Sequence, residues 1–187
     1  WLLGMSRLEA GVVKGESRQG VPAEILEVLA AEYGPRAHTK GIGLRMAGGD
    51  FAAFTDPELL KRVLRNLIEN ALKFTDTGGV SVEVFRKEND VEFVVSDTGR
   101  GIPPEALDHV FDDYFQADNP QRDRKQGLGL GLSIVRRLIE LLGGSVSVAS
   151  ELGRGTRFVL TLPGALQGVV APAPRTAQAR AVPSLDV

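Results

Sequence analysis

Residues 56–75 read DPELLKRVLRNLIENALKFT, and most of the architecture follows from this stretch. Leu60, Val63, Leu64, Leu67, Ile68, Ala71 and Leu72 recur at three-and-four spacing, the pattern of a helix that buries one face. Asp56 stands where its carboxylate can cap the first free amides, and Pro57 and Glu58 fall in a first turn that tolerates proline and favours an acid. At about 100 degrees per residue, Asn66, Asn70 and Lys73 share one narrow stripe roughly opposite the apolar one. That stripe reads in two ways. It is an ordinary solvated face continued by Arg62, or it is a site. An asparagine carbonyl is a hard oxygen ligand for Mg²⁺, whose octahedron is completed by waters and phosphate oxygens, and a lysine is a point charge for a phosphate.

Working outward, Pro22 to Leu29 starts another helix, which Gly34-Pro35 is expected to interrupt or end. Ile42–Met46 and Phe51–Phe54 predict a strand, a turn at Gly48-Gly49-Asp50 and a second strand. Downstream, Val80–Phe85 and Val91–Val95 alternate apolar and polar around Glu88-Asn89-Asp90, as in a hairpin. Leu130, Ile134, Val135, Leu138, Ile139 and Leu142 mark a helix stopped by Gly143-Gly144, and Val146–Val148 and Phe158–Leu162 flank a turn at Gly153–Gly155. Strand pair, helix, strand pair, helix and strand pair imply an α+β fold with helices layered on one mixed sheet. Gly11–Gly20 reads as a polar connection. The Ala/Pro-rich run at 164–187 reads as a linker or disordered tail.

A net charge of -2 gives no basic footprint, so no nucleic-acid partner is expected, and the absence of cysteine excludes disulfide frameworks and thiolate metal sites. No apolar run approaches membrane-spanning length. The two histidines, His38 and His109, belong to no constellation of base or nucleophile and read as structural residues.

Three further stretches carry chemistry. Asp97-Thr98-Gly99-Arg100-Gly101-Ile102-Pro103 follows a strand. Its glycines permit close approach of backbone to a flat ligand, and its carboxylate can accept from an exocyclic amine such as that of adenine; a capped glycine turn is the alternative. Gly127-Leu128-Gly129-Leu130-Gly131-Leu132 runs into a helix, an arrangement that suits an anion, although no strand precedes it and a dinucleotide-binding reading fails. Between them, Phe111 and Phe115 are spaced to pack together on a short helix. The polar segment 117–126 has the makeup of a lid in which Arg122, Arg124 or Lys125 could reach a phosphate.

In this order RNLIENALKFT, DTGRGIP, VFDDYFQ, GLGLGLSIV and LGRGTRFVLTLP resemble the asparagine, first glycine, phenylalanine, second glycine and third glycine boxes of sensor histidine kinases. The resemblance implies a two-layer α/β sandwich of the Bergerat type that binds ATP with Mg²⁺. It makes Asn70 the metal ligand, Asn66 its companion and Lys73 a phosphate contact, with these three as catalytic residues. Asp97 becomes the adenine acceptor, flanked by Gly99, Gly101 and Ile102. Gly127, Leu128, Gly129, Leu130, Gly131 and Leu132 wrap the phosphates. Phe111 and Phe115 line the site, and Thr156 supports the base from behind.

Hydrolytic relatives, such as gyrase and mismatch-repair ATPases, place a glutamate base four residues before the metal asparagine. Here that residue is Asn66, which favours transfer to a protein histidine over hydrolysis. By the same resemblance, residues 1–16 end a dimerisation helix, 17–163 form the catalytic ATP-binding domain, and the acceptor histidine belongs to a dimerisation domain upstream. The expected partners are that domain and a response-regulator receiver, which the tail at 164–187 is expected to approach. The expected setting is cytoplasmic, with a monomer for this chain and a dimer for the full-length protein.

Overall fold

The computed structural model describes residues 16–113 and 131–169. The helix expected after Asp56 spans Pro57–Phe74, and its apolar stripe is interior, with Leu60, Val63, Leu64 and Ile68 wholly buried. Asp56 caps it as the sequence predicts. One carboxylate oxygen accepts from the amides of Glu58 (2.9 Å) and Leu59 (3.0 Å), and the other takes the amide of Glu16 at 2.7 Å.

In chain order the elements are β1 (Arg18–Gly20), α1 (Pro22–Lys40), β2 (Gly43–Gly48), β3 (Ala53–Thr55), α2 (Pro57–Phe74), β4 (Gly79–Lys87), β5 (Asp90–Asp97), α3 (Pro104–Leu107), α4 (Gly131–Leu141), β6 (Ser145–Glu151) and β7 (Gly155–Leu162). Five strands form one mixed sheet, ordered β2-β4-β5-β7-β6, with β2 parallel to β4 and the other neighbours antiparallel. Strand residues have period two, so Val80, Val82 and Val84, Val91, Phe93 and Val95, and Phe158, Leu160 and Leu162 present one continuous apolar face. That face shares a single core with α1, α2 and α4. Each fully buried side chain of this size contributes about 1.5–3 kcal/mol relative to exposure, so the core dominates the stability of the α+β layer.

Several expectations are corrected. Helix α1 runs through Pro35 to a left-handed Gly41, whose φ is 74°. Proline removes the bond to the carbonyl of Ala31, but Ala31 and Pro35 lie on the solvent side, where that carbonyl is open to solvent donors. Buried Tyr33 and Ala37 hold the helix on its other side. The amide of Ile42 then reaches back to Ala37 O at 3.1 Å and closes the end.

The two strands around Gly48-Gly49 do not pair with each other. Strand β2 joins β4, whereas β3 pairs with β1, a strand in the stretch expected to be only a polar connection. Both glycines have positive φ, and a Cβ on Gly48 would sit 2.2 Å from Val84 O. Backbone packing there steers the chain beneath the start of α1, where Ala23 N bonds Gly49 O at 3.1 Å.

The expected short helix from Phe111 to Phe115 runs outside the described residues, and among those no helix includes Phe111. The four-residue α3 precedes it and turns follow to Asp113. After Pro163 the chain continues to pack: Ala165 is buried, its carbonyl accepts from Phe54 N at 2.7 Å, and Leu166 N bonds Asn89 O at 2.9 Å. The ordered fold therefore reaches past the expected start of the tail.

Candidate functional site

At one end of the sheet the core-facing positions change from apolar to polar in three neighbouring strands at once. Along β5 the series Val91, Phe93, Val95 ends in Asp97. Along β7 the series Leu162, Leu160, Phe158 ends in Thr156, and along β6 Val146 and Val148 lead to Ser150. Register pairs Asp97 with Thr156 and Thr156 with Ser150, so the three form one cross-strand row.

The row is hydrogen-bonded throughout. The carboxylate of Asp97 accepts from Gly99 N at 2.8 Å. Ser150 Oγ accepts from Ile102 N at 2.8 Å, contacts the Gly155 carbonyl at 2.8 Å and lies 3.0 Å from Thr156 Oγ1. Burial pushes the carboxyl of Asp97 above the ordinary carboxylate range, and the amides of Gly99 and Thr156 pull it partly back.

The glycines of this region are close-approach positions. A Cβ on Gly99 would fall 2.3 Å from Phe74 O, and one on Gly101, whose φ is 74°, would fall 2.1 Å from Glu151 O. Gly155 is tighter still, at φ 107° with a notional Cβ 1.9 Å from Asp97 O. Gly155→Ala is expected to cost about 2 kcal/mol through left-handed strain and displaced backbone. Chemical denaturation measures this, and an unchanged midpoint would show that the start of β7 shifts freely.

Asn66 and Asn70 form the second part of the site. Neither is on an ordinary solvated face: both are half-buried, and the first residue of α4 packs on them. A Cβ on Gly131 would lie 3.5 Å from Asn66 Oδ1 and 3.6 Å from Asn70 Nδ2, so the end of the glycine repeat meets the asparagine stripe. Asn66 Nδ2 donates to Arg62 O at 2.9 Å, which leaves its carbonyl oxygen directed elsewhere. Glu69, next to Asn70 in sequence, is turned away and accepts from Tyr33 OH at 3.0 Å.

Lys73 and Phe74 join the two parts. Arg100 N bonds Phe74 O at 3.1 Å, tying the Asp97 loop to the end of α2. The Phe74 ring carries Lys73 Nζ at 4.7 Å and the Arg100 guanidinium at 4.2 Å from its centroid. Burial, then the charge of Arg100, lowers Lys73 below the usual lysine range.

Of the residues singled out from sequence, the structure thus gathers Asp97, Gly99, Gly101, Ile102 and Thr156 in one network, and Asn66, Asn70 and Gly131 in another. Lys73 lies beside the bridge between them. Leu132 packs on the core. Phe111 stands edge-to-face on Phe158, centroids 6.3 Å apart at 75°. Phe115, Gly127, Leu128, Gly129, Leu130 and the segment 117–126 lie outside the described residues. Sequence reasoning missed Ser150, Phe74 and Arg100. Only Ser150 left a trace, as a polar residue in phase with Val146 and Val148. His38 and His109 are exposed, and His109 pairs with Asp112 at 2.8 Å, as expected of structural residues.

The family model of histidine kinase-, DNA gyrase B-, and HSP90-like ATPases matches residues 55–166, which include every site element described above. The sensor histidine kinase RcsC of Escherichia coli strain K12 is 36% identical over 165 residues, covering 87% of this chain and 17% of RcsC. A sensor-like histidine kinase of Rhizobium meliloti is 37% identical over 184 residues, covering 95% of this chain and 35% of that protein. Among solved structures, full-length ShkA in complex with AMPPNP superposes with a TM-score of 0.77 at 33% identity, covering 87% of this chain and 34% of ShkA. The chain thus spans about a third or less of these three relatives. The match over residues 55–166 and the mixed sheet with its polar row agree: the chain belongs to the histidine kinase-, DNA gyrase B-, and HSP90-like ATPase family and is a histidine-kinase-like ATP-binding catalytic domain.

Proposed function

We propose that this chain is the catalytic domain of a two-component sensor kinase, which presents the terminal phosphoryl group of Mg-ATP to a histidine on a dimerisation domain outside the chain. The family binds ATP and Mg²⁺ in general, and the residues present suit both. Glycines 99, 101 and 155 let backbone pack directly on backbone, which holds the Asp97 loop and the start of β7 in place around the polar row. The acceptor row, with Thr156 buried and Asp97 and Ser150 half-buried, suits an exocyclic amine, and two half-buried amides beside Gly131 offer hard oxygen to a divalent ion without adding negative charge next to a triphosphate. Asn70 would hold the metal with Asn66 beside it, Asp97 and Thr156 would hold the base, and Lys73 would meet a phosphate. When bound, Mg²⁺ would neutralise charge that develops on the transferring group.

The observation that carries transfer over hydrolysis is Asn66. Four residues before Asn70 the site offers an amide that cannot take a proton from water, and the nearby Glu69 is engaged with Tyr33. The reaction partner is then a histidine supplied by another domain. A receiver domain as the next acceptor, and a cytoplasmic location, belong to this same reading. In the relay, the phosphoryl group leaves ATP for an imidazole nitrogen and ADP departs.

The test mixes this chain with γ-labelled Mg-ATP and a separate helical dimerisation domain that carries the acceptor histidine. Acid-labile, alkali-stable label is expected on that domain, and a His→Ala version of it is expected to stay unlabelled. Steady release of inorganic phosphate without labelling would replace the kinase reading by an ATPase.

A further inference from the structure

We propose that Ser150 is a specificity-determining, positioning residue: by fixing the proton of Thr156, it makes the polar row beside Asp97 accept hydrogen bonds only. The row then selects a base that carries an exocyclic amine and rejects one with a carbonyl in its place. This rests on the nucleotide reading above.

Counting protons along the row fixes the direction of each bond. Ser150 Oγ has one hydrogen and two lone pairs. One lone pair is taken by the amide of Ile102, an obligatory donor, at 2.8 Å. The Gly155 carbonyl has no hydrogen to give, so a 2.8 Å separation from Ser150 Oγ requires the serine hydrogen to lie between them. Two hydroxyl oxygens 3.0 Å apart also need a hydrogen between them. The serine has none left, so Thr156 must supply it.

The hydroxyl of Thr156 has then spent its only donor on Ser150 and keeps a lone pair. Its rotation is held as well, because Thr156 is more than nine-tenths buried. Across the register lies Asp97, whose carboxylate accepts from the amide of Gly99 and has further acceptor capacity. An approaching amine, directly or through a water that donates to the row, meets acceptors at both positions. A carbonyl oxygen meets lone pairs facing lone pairs, and the buried acceptors go unsatisfied.

Without the serine hydroxyl, the Thr156 hydroxyl can turn and donate toward the base, and the penalty against a carbonyl falls. The experiment titrates the purified chain with Mg-ATP and Mg-ITP, purine nucleotides that differ at the 6-position by amine against carbonyl. It compares wild type, Ser150→Ala and Ser150→Thr. Wild type is expected to prefer ATP strongly. Ser150→Ala should narrow the ratio of the two dissociation constants by about tenfold, chiefly by improving ITP. Ser150→Thr restores the hydroxyl and should keep the wild-type ratio.

Equal weakening of both nucleotides in Ser150→Ala, with the ratio unchanged, would make the serine merely structural and overturn the proposal. So would a wild type that binds ATP and ITP alike. Should Ser150→Ala fail to fold, Thr156→Val decides the same point, because removing the oriented hydroxyl must also narrow the ratio. A folded wild type that binds neither nucleotide brings down the nucleotide reading itself, an outcome distinct from binding without discrimination.

Discussion

Replacing Asp97 by asparagine is expected to weaken ATP binding by about two orders of magnitude, roughly 3 kcal/mol, without destabilising the fold. The two effects separate because the carboxylate serves the ligand at a cost to the protein. Burial holds its pKa above the ordinary carboxylate range, so the native state takes up a proton more readily than the unfolded chain does. The stability linked to this group is present below the unfolded pKa and is lost as pH rises through the folded one. At neutral pH the ionised side chain is therefore a net burden, which a neutral amide in its place would not carry.

Binding changes in the opposite sense. An asparagine oxygen can take the amide of Gly99, but its NH₂ group then faces the incoming amine, donor against donor. Calorimetric titration with a nonhydrolysable ATP analogue, together with thermal denaturation of both proteins, tests this. Retained affinity in Asp97→Asn would remove Asp97 from base recognition. The same groups shape the pH profile of wild-type binding. As pH falls, affinity should drop when Asp97 protonates, at a higher pH than for an ordinary aspartate. On the alkaline side it should drop as Lys73 loses its charge below the usual lysine range.

Asn70→Ala should have the larger effect on the reaction. Asn70 is half-buried at the junction of α2 with the first residue of α4 and forms no part of the apolar core, so the change in stability should stay within about 1 kcal/mol. Removing its amide oxygen takes away the proposed protein ligand for Mg²⁺. Nucleotide binding should then no longer tighten when the metal is added. Phosphotransfer should fall by about a thousandfold, several kcal/mol of barrier. Titrations with and without Mg²⁺, and transfer rates to the dimerisation domain, measure the two effects. An Asn70→Ala protein that still binds more tightly with metal would assign the ligand elsewhere. Asn70→Asp is a useful companion, since it keeps an oxygen but adds a charge beside the phosphates.

Elements whose signal is local were legible in the amino-acid order. The Asp56 cap and the apolar period of Pro57–Phe74, the alternation that makes the β4–β5 and β6–β7 hairpins, and the glycine stop after α4 are each written within a few residues. The asparagine stripe and the Asp97 loop are also local in spacing, but spacing alone left a solvated face and a capped glycine turn open, and only the resemblance of five motifs in order marked them as a candidate site. Whatever depends on residues distant in the chain was settled by packing. Strand β2 pairs with β4 and β3 with β1, because the Gly48-Gly49 backbone packs against Val84 and the start of α1, and no local pattern records that contact. Helix α1 continues through Pro35, because burial of Tyr33 and Ala37 outweighs one hydrogen bond whose acceptor water can satisfy. Packing also brings Asn70 against Gly131, and it aligns Ser150, Thr156 and Asp97 across three strands. A serine at an alternate strand position carries no signal until register sets it beside a buried threonine. Register is fixed by the core the strands share, which is why the chemistry of that row belongs to the fold and not to any one segment.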